Sequence, residues 1–126
     1  MNLELNHNGD LTYEIIGLAM RVHRNLAPGL LESVYRRCLC HDLLLANIPF
    51  EQEVYLPIHY NWIDIASSYR ADIIVRSEVL LELNAVERLG SLHEAQLLTY
   101  LRISRCRPGL LMNFNALSLV VRRRAL

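Results

Sequence analysis

The sequence lacks lysine altogether, so all 13 of its basic residues are arginines. Thirteen acidic residues balance them, and the formal net charge is zero. Proteins that bind nucleic acid draw much of their affinity from neutralising phosphates and are often basic. Zero net charge therefore lowers the expectation of nucleic-acid binding, but it leaves room for a local basic patch.

Cysteines and long apolar runs are also scarce. The three cysteines, Cys38, Cys40 and Cys106, have no spacing typical of a disulfide framework or a zinc site. No run approaches the roughly 18 apolar residues that a membrane span needs, and the polar start of the chain lacks the layout of a signal peptide. We therefore expect a cytoplasmic protein. Its 126 residues fit a flexible lead-in over 1–9 and a single domain over 10–126.

The first half of the chain has helical periodicity. Asp10 is a suitable N-cap for a helix from Leu11 to Leu26. A second helix is predicted over 30–46, with Cys38 facing inward and Cys40 outward. Glu32 lies within the apolar face of this second helix, where an acid needs a partner such as Arg36.

The second half changes to strand periodicity. A capping box, Ser91-x-x-Glu94, predicts a helix that reaches about Ile103. Strands are predicted before and after this helix, at 51–60, 68–75, 79–86, 109–114 and 117–121. The order α-α-β-β-β-α-β(-β) indicates an α/β fold, with a mixed central sheet flanked by helices.

Two acids fall on neighbouring predicted strands. A hairpin would bring Asp72 near Glu82, and strand alternation places Asn84 on the same face as Glu82. Two close carboxylates repel each other unless a cation lies between them, and Mg²⁺ prefers oxygen ligands. Each acid taken alone is more often a satisfied polar residue of the core or an edge charge.

A longer set of motifs is more specific. The segment Gly29-Leu30-Leu31-Glu32-Ser33-Val34-Tyr35 resembles the motif that names the bacterial GxxExxY family, a branch of the PD-(D/E)XK nuclease-like superfamily. Further blocks match in order at 69–72, 81–86, 93–101 and 109–115. The resemblance covers about residues 10–115.

The resemblance implies a restriction-endonuclease-like αβββαβ core with an extra N-terminal helix, and a phosphodiesterase site that uses Mg²⁺ or Mn²⁺. By position, Asp72 and Glu82 would bind the metal, and Glu32 would complete its ligands. Gln96 would be the polar residue of the following helix that approaches the site, and His93 and Tyr100 could line the same cleft.

Two features depart from the family pattern. Asn84 stands where a lysine is expected, and asparagine can orient a water but carries no charge; Arg70 or Arg88 could supply a cation instead. The chain also ends in an arginine run at 122–124, which is most often a solvated tail. Trp62, in a predicted turn, is expected to be a partly buried anchor rather than a base-stacking residue.

Three functions therefore remain open. The first is a metal-dependent nuclease that acts on DNA or RNA. The second is a nuclease-like domain without catalysis that binds nucleic acid or a protein partner of unknown identity. The third is a structural module, which could form a homodimer through its apolar surface and edge strands.

Overall fold

A computed structural model describes residues 3–66 and 69–126, and the side chains from residue 9 onward. It contains three helices and seven strands within those residues: α1 Leu3–Leu26, α2 Glu32–Leu45, β1 Phe50–Tyr55, β2 Ile58–Tyr60, β3 Ile63–Ile65, β4 Arg70–Val75, β5 Val79–Asn84, α3 Ser91–Ser104, β6 Gly109–Asn113 and β7 Val120–Arg124. None of these helices has the length and hydropathy of a membrane span.

Five strands form one mixed sheet in the order β1-β4-β5-β6-β7. Only β5 and β6 pair in parallel, because α3 connects them as a crossover, whereas the other neighbours are antiparallel. The predicted αβββαβ core with an added N-terminal helix is confirmed.

Each face of this sheet packs against a separate helical layer. On β5, Leu81 and Leu83 lie in one apolar cluster with residues of α1 and α2. Leu80, which has the opposite strand parity, packs with Leu97 and Leu101 of α3. A near-continuous apolar β5 is what a strand buried on both faces requires.

α1 begins earlier than the sequence indicated. Its buried stripe includes the predicted Leu11, Ile15 and Val22, but the helix starts at Leu3, so Asp10 lies inside it and is not an N-cap. The predicted start at Leu11 is therefore wrong. A polar segment can continue a helix that tertiary packing already stabilises farther along.

The two cysteines of α2 are reversed relative to the prediction. Cys40 is buried and Cys38 is only partly buried. The buried side of the helix is centred on Tyr35, Leu39 and Leu43, one turn apart, which turns position 40 toward the sheet. The Cys40 Sγ lies 3.7 Å from Gln52 Oε1 of β1.

The segment predicted as one strand over 51–60 divides at Pro57 into β1 and the separate β2–β3 hairpin. Asn61 and Trp62 form the tip of this hairpin, with φ of 46° and 71°. Trp62 is fully exposed, so its prediction as a partly buried anchor is wrong. The predicted strand start at Ser68 lies outside the described residues.

Glu94 has a different role from the one predicted. The N-cap of α3 is Gly90, whose N–H donates to His93 Nδ1 at 2.9 Å. Glu94 instead binds Arg122 at 2.7 Å and also binds Arg124. The capping-box prediction is therefore wrong. The prediction of a solvated arginine tail is also wrong, because residues 122–124 belong to β7 and pair with β6.

The loop before α2 is fixed by the buried Tyr35. Its hydroxyl donates to the Ala27 carbonyl at 2.7 Å and accepts from Leu30 N–H at 3.1 Å. Its ring stacks on Phe114 with centroids 4.8 Å apart. The motif tyrosine thereby fixes the chain just before Glu32.

We expect Tyr35→Phe to lower the free energy of unfolding by about 1–3 kcal/mol, because it leaves two backbone groups without their partner. Urea denaturation measures this change. Tyr13→Phe is the matched control, since Tyr13 is 82% exposed. Equal losses in the two variants would contradict a specific role for the Tyr35 hydroxyl.

Candidate metal site

Asp72 and Glu82 interlock where β4 and β5 separate. The ladder pairs Val75 with Val79 and continues to Ile73 and Leu81, so positions 72 and 82 would be the next pair. There the side chains replace ladder hydrogen bonds: Asp72 N–H donates to Glu82 Oε1 at 3.1 Å, and Leu83 N–H donates to Asp72 Oδ2 at 2.7 Å. Each carboxylate therefore uses one oxygen to hold the hairpin and keeps the other for a ligand.

The electrostatics of this pair match the need for a cation. Burial, the charge of Asp72 and the charge of Glu32 raise the pKa of Glu82 to about 9, against a partial lowering by the Asp72 N–H. Burial also raises the pKa of Asp72, although the Leu83 N–H and the charges of Arg36 and Arg70 lower it. Without a cation, the pair disfavours the doubly ionised state that binds metal.

Glu32 approaches the pair from α2, in the layer that α1 and α2 form. It is the first residue of α2 and is exposed to solvent. Desolvation of its carboxyl and the charge of Asp72 raise its pKa, whereas Arg36 lowers it. The structure thus brings Glu32 within electrostatic reach of both Asp72 and Glu82.

A charge network beside these acids was missed at the sequence level. Glu53 of β1 lies opposite Asp72 in the register, has φ of 53° and raises the Asp72 pKa. Its Oε1 lies 3.4 Å from Arg36 Nη2 and 3.7 Å from Arg70 Nη2. The Arg36 Nε is buried and has no hydrogen-bond partner among the described residues. A left-handed glutamate inside a strand is costly, and here it holds two guanidinium groups beside the acids.

Only the pairing of β1 with β4 shows that Glu53 lies near the acids, because its local sequence does not distinguish it from Glu51. Arg36, the predicted partner of Glu32, forms an ion pair with Glu53, and its charge also lowers the pKa of Glu32. Arg70, a predicted source of positive charge, lies within electrostatic reach of Asp72.

Gln96 and Asn84 make different contacts near the acids. Gln96 Nε2 donates to the Tyr100 hydroxyl at 3.0 Å. Burial and the charge of Glu82 raise the pKa of Tyr100, so this tyrosine is within electrostatic reach of Glu82. Asn84 extends toward β6, where its Nδ2 lies 3.5 Å from the Met112 carbonyl. His93 caps α3 through Gly90 N–H.

The donor chemistry fits a hard divalent cation. Asp72 and Glu82 each offer a carboxylate oxygen, and Mg²⁺ is commonly held by one or two carboxylates together with waters. No set of three or more His, Cys, Asp or Glu side chains within 9–66 and 69–126 is arranged to hold a metal ion. The chemistry of Asp72 and Glu82 suits a two-carboxylate site, and Glu32 as a third ligand stays a prediction. A cavity of about 580 Å³ between α1 and α2 includes none of these acids.

The comparison with protein families supports the restriction-endonuclease-like fold. The model of the PD-(D/E)XK nuclease superfamily matches residues 9–124. Comparison with curated proteins and with solved structures gives no match. The family match spans both helical layers and every strand of the mixed sheet, and the chain therefore belongs to the PD-(D/E)XK nuclease superfamily.

Proposed function

We propose that this nuclease-like protein hydrolyses phosphodiester bonds of nucleic acid with Mg²⁺ or Mn²⁺, and that it belongs to the GxxExxY branch. The observation that carries the proposal is the Asp72–Glu82 pair, in which each carboxylate is fixed by a backbone N–H of the opposite strand. Such fixed, mutually repelling acids favour a divalent cation.

Asp72 and Glu82 would hold the metal, and Glu32 would join them from α2. A bound divalent ion would polarise the phosphate and favour ionisation of a water. Asn84 would orient a water by hydrogen bonding. Gln96 would act through Tyr100, to which its amide donates.

Arg36 and Arg70 would supply the positive charge that lysine provides elsewhere in the superfamily. Both lower the pKa of Asp72 and both approach Glu53. Arginine stays charged and suits phosphate contact, but it does not transfer protons readily. These residues would therefore stabilise charge on a phosphate rather than act as an acid or base.

A second candidate is a nuclease-fold domain that binds nucleic acid or a protein without cleaving. The uncharged Asn84, which lies near the Met112 carbonyl of β6, favours it. This candidate retains the acids as hairpin supports, because they replace ladder hydrogen bonds between β4 and β5.

Isothermal titration with Mn²⁺ and Mg²⁺, followed by a cleavage assay on single- and double-stranded DNA and RNA, tests the proposal. We expect the wild type to bind metal and cleave, and Asp72→Asn and Glu82→Gln to lose both properties by about 100-fold or more, as when a principal electrostatic group is removed. Glu51→Gln is the matched control, because Glu51 is an exposed acid of β1, an edge strand of the same sheet.

Metal binding that survives in both acid variants would overturn the assignment of the site. Metal binding without cleavage by the wild type would favour the second candidate.

A further inference from the structure

Two cavities lie along the solvent-facing side of α3. One has a volume of about 470 Å³ and is lined by Pro57, Ile58, His59, Arg102, Ile103 and Arg105. The other has a volume of about 330 Å³ and is lined by Tyr69, Leu92, Ala95, Gln96, Thr99 and Tyr100. The helical spacing of 92, 96, 99 and 103 places both cavities on one stripe of α3. We call the pair the α3 groove.

The first cavity of the α3 groove is lined by two arginines, Arg102 and Arg105. Among the described residues that line the two cavities none is an acid, although Asp64 binds the lining His59. Neither arginine forms an ion pair within the part of the chain that the structure describes. Arg102 is oriented by Thr99, whose Oγ1 lies 3.2 Å from its Nη2. These guanidinium groups are suited to phosphate contacts.

The second cavity lies next to that basic end along α3. Thr99 lines this cavity and accepts a hydrogen bond from Arg102, which lines the other. Tyr69 and Tyr100 line the second cavity with ring centroids 6.1 Å apart. The charge of Glu82 affects the pKa of Tyr100. The α3 groove thus combines two arginines with two aromatic rings, one of which is within electrostatic reach of the candidate metal site.

The β2–β3 hairpin borders the basic end and presents aromatic surface to solvent. Ile58 and His59 of β2 line the first cavity, and Tyr60 and Trp62 at the other end of the hairpin are largely or fully exposed. Asn61 and Trp62 form the two-residue loop of the hairpin, and their positive φ values are those that such a turn requires. The full exposure of the Trp62 ring leaves an aromatic face open to a ligand.

We propose that the α3 groove binds an unpaired nucleic-acid strand, with Arg102 and Arg105 on its phosphates and Trp62 stacked on a base. This inference rests on the proposed function, because it names the substrate class of the same site. Grooves for single strands combine positive charge with aromatic stacking platforms. Duplex bases already stack on one another, so only an unpaired strand offers base faces to Trp62.

Binding is measured with the full chain in EDTA, where metal-dependent cleavage cannot occur. The probes are fluorescein-labelled single-stranded DNA and RNA of about 12 nucleotides, within the usual site size, and a duplex of the same sequence. Trp62 is the only tryptophan, so its intrinsic fluorescence reports directly on the hairpin. We expect both single strands to quench Trp62, and the duplex to bind more weakly.

Arg102→Gln/Arg105→Gln is expected to weaken single-strand binding by about tenfold or more and to reduce the salt slope by about 1.4, at roughly 0.7 for each phosphate contact. Trp62→Ala is expected to weaken it by about tenfold through lost stacking. Arg24→Gln/Arg37→Gln, on the opposite helical layer, is the matched control and should retain wild-type affinity. The DNA and RNA probes together show which sugar the groove accepts.

Three results would overturn the inference: unaltered Trp62 fluorescence, equal affinities in the groove and control variants, or no binding to any oligonucleotide. In the last case a protein partner would be the occupant of the hairpin. A protein that binds through the α3 groove but does not cleave with Mg²⁺ or Mn²⁺ overturns only the proposed hydrolysis. A protein that cleaves equally well without Arg102 and Arg105 overturns only the groove.

Discussion

The metal-free protein is expected to lose stability as the pH rises from about 5 to 9, and Glu82→Gln is expected to remove most of this loss. The pKa of Glu82 is raised from 4.5 to about 9. The folded state therefore keeps a proton that the unfolded chain has released across this range. Stability is fully present below pH 4.5 and is lost as the pH passes through about 9. The linked loss is on the order of a few kcal/mol.

Urea denaturation in EDTA at a series of pH values measures this dependence. Glutamine at 82 keeps an oxygen for the Asp72 N–H but cannot ionise, so the variant should be less stable than the wild type only where metal is present. Asp72 and Glu32 also have raised pKa values, so a shallow slope should remain. Glu51→Gln is the control and should retain the wild-type slope. Identical slopes in Glu82→Gln and the wild type would contradict the assignment.

Mn²⁺ should remove the pH dependence. A metal binds the ionised acids and displaces the proton, so its affinity and its stabilisation of the folded protein relative to the metal-free protein increase with pH. We therefore expect the wild type in saturating Mn²⁺ to keep a nearly constant stability between about pH 5 and 8, while Glu82→Gln gains nothing from the metal. This loss of slope separates a metal site from a carboxyl pair that serves only the hairpin.

The sequence predicted the sheet well because its strands carry their own signals. β5 is apolar on both faces, and a three-residue polar turn precedes it, so its central position and its hairpin with β4 could be read locally. Pairing across that hairpin then brings Asp72 to Glu82. Periodicity and one short turn were sufficient for this part of the site.

Features that depend on distant partners could not be predicted. The arginines at 122–124 resemble a solvated tail until β7 pairs with β6 and places Arg122 and Arg124 against Glu94. The same contact removes Glu94 from the predicted capping box. Glu53 is comparable, since only the register between β1 and β4 places it opposite Asp72. Charged residues have weak local preferences, and tertiary pairing decides their roles.

Asn113→Ala is expected to destabilise the protein by about 3–5 kcal/mol, the range for the loss of several buried hydrogen bonds at once. Asn113 is buried at the end of β6. Its Nδ2 donates to the Val86 carbonyl at 2.9 Å, and its Oδ1 accepts from Val86 N–H at 3.1 Å and from Asn115 N–H at 3.2 Å. Alanine leaves all three backbone groups without this partner.

Urea denaturation compares this variant with Asn115→Ala and Asn113→Asp. Asn115 takes part through its backbone N–H, so truncating its side chain should cost less than about 1 kcal/mol, as for other substitutions away from buried networks. Aspartate at 113 keeps the acceptor for two N–H groups but loses the donor to Val86, and it should be intermediate at neutral pH. Asn113 and the Phe114 N–H, which donates to the Asn84 carbonyl at 2.9 Å, together fix the chain where β5 leaves the sheet. A loss of stability confined to Asn113 would show that its buried amide, and not the strand ladder alone, stabilises the chain where β5 ends.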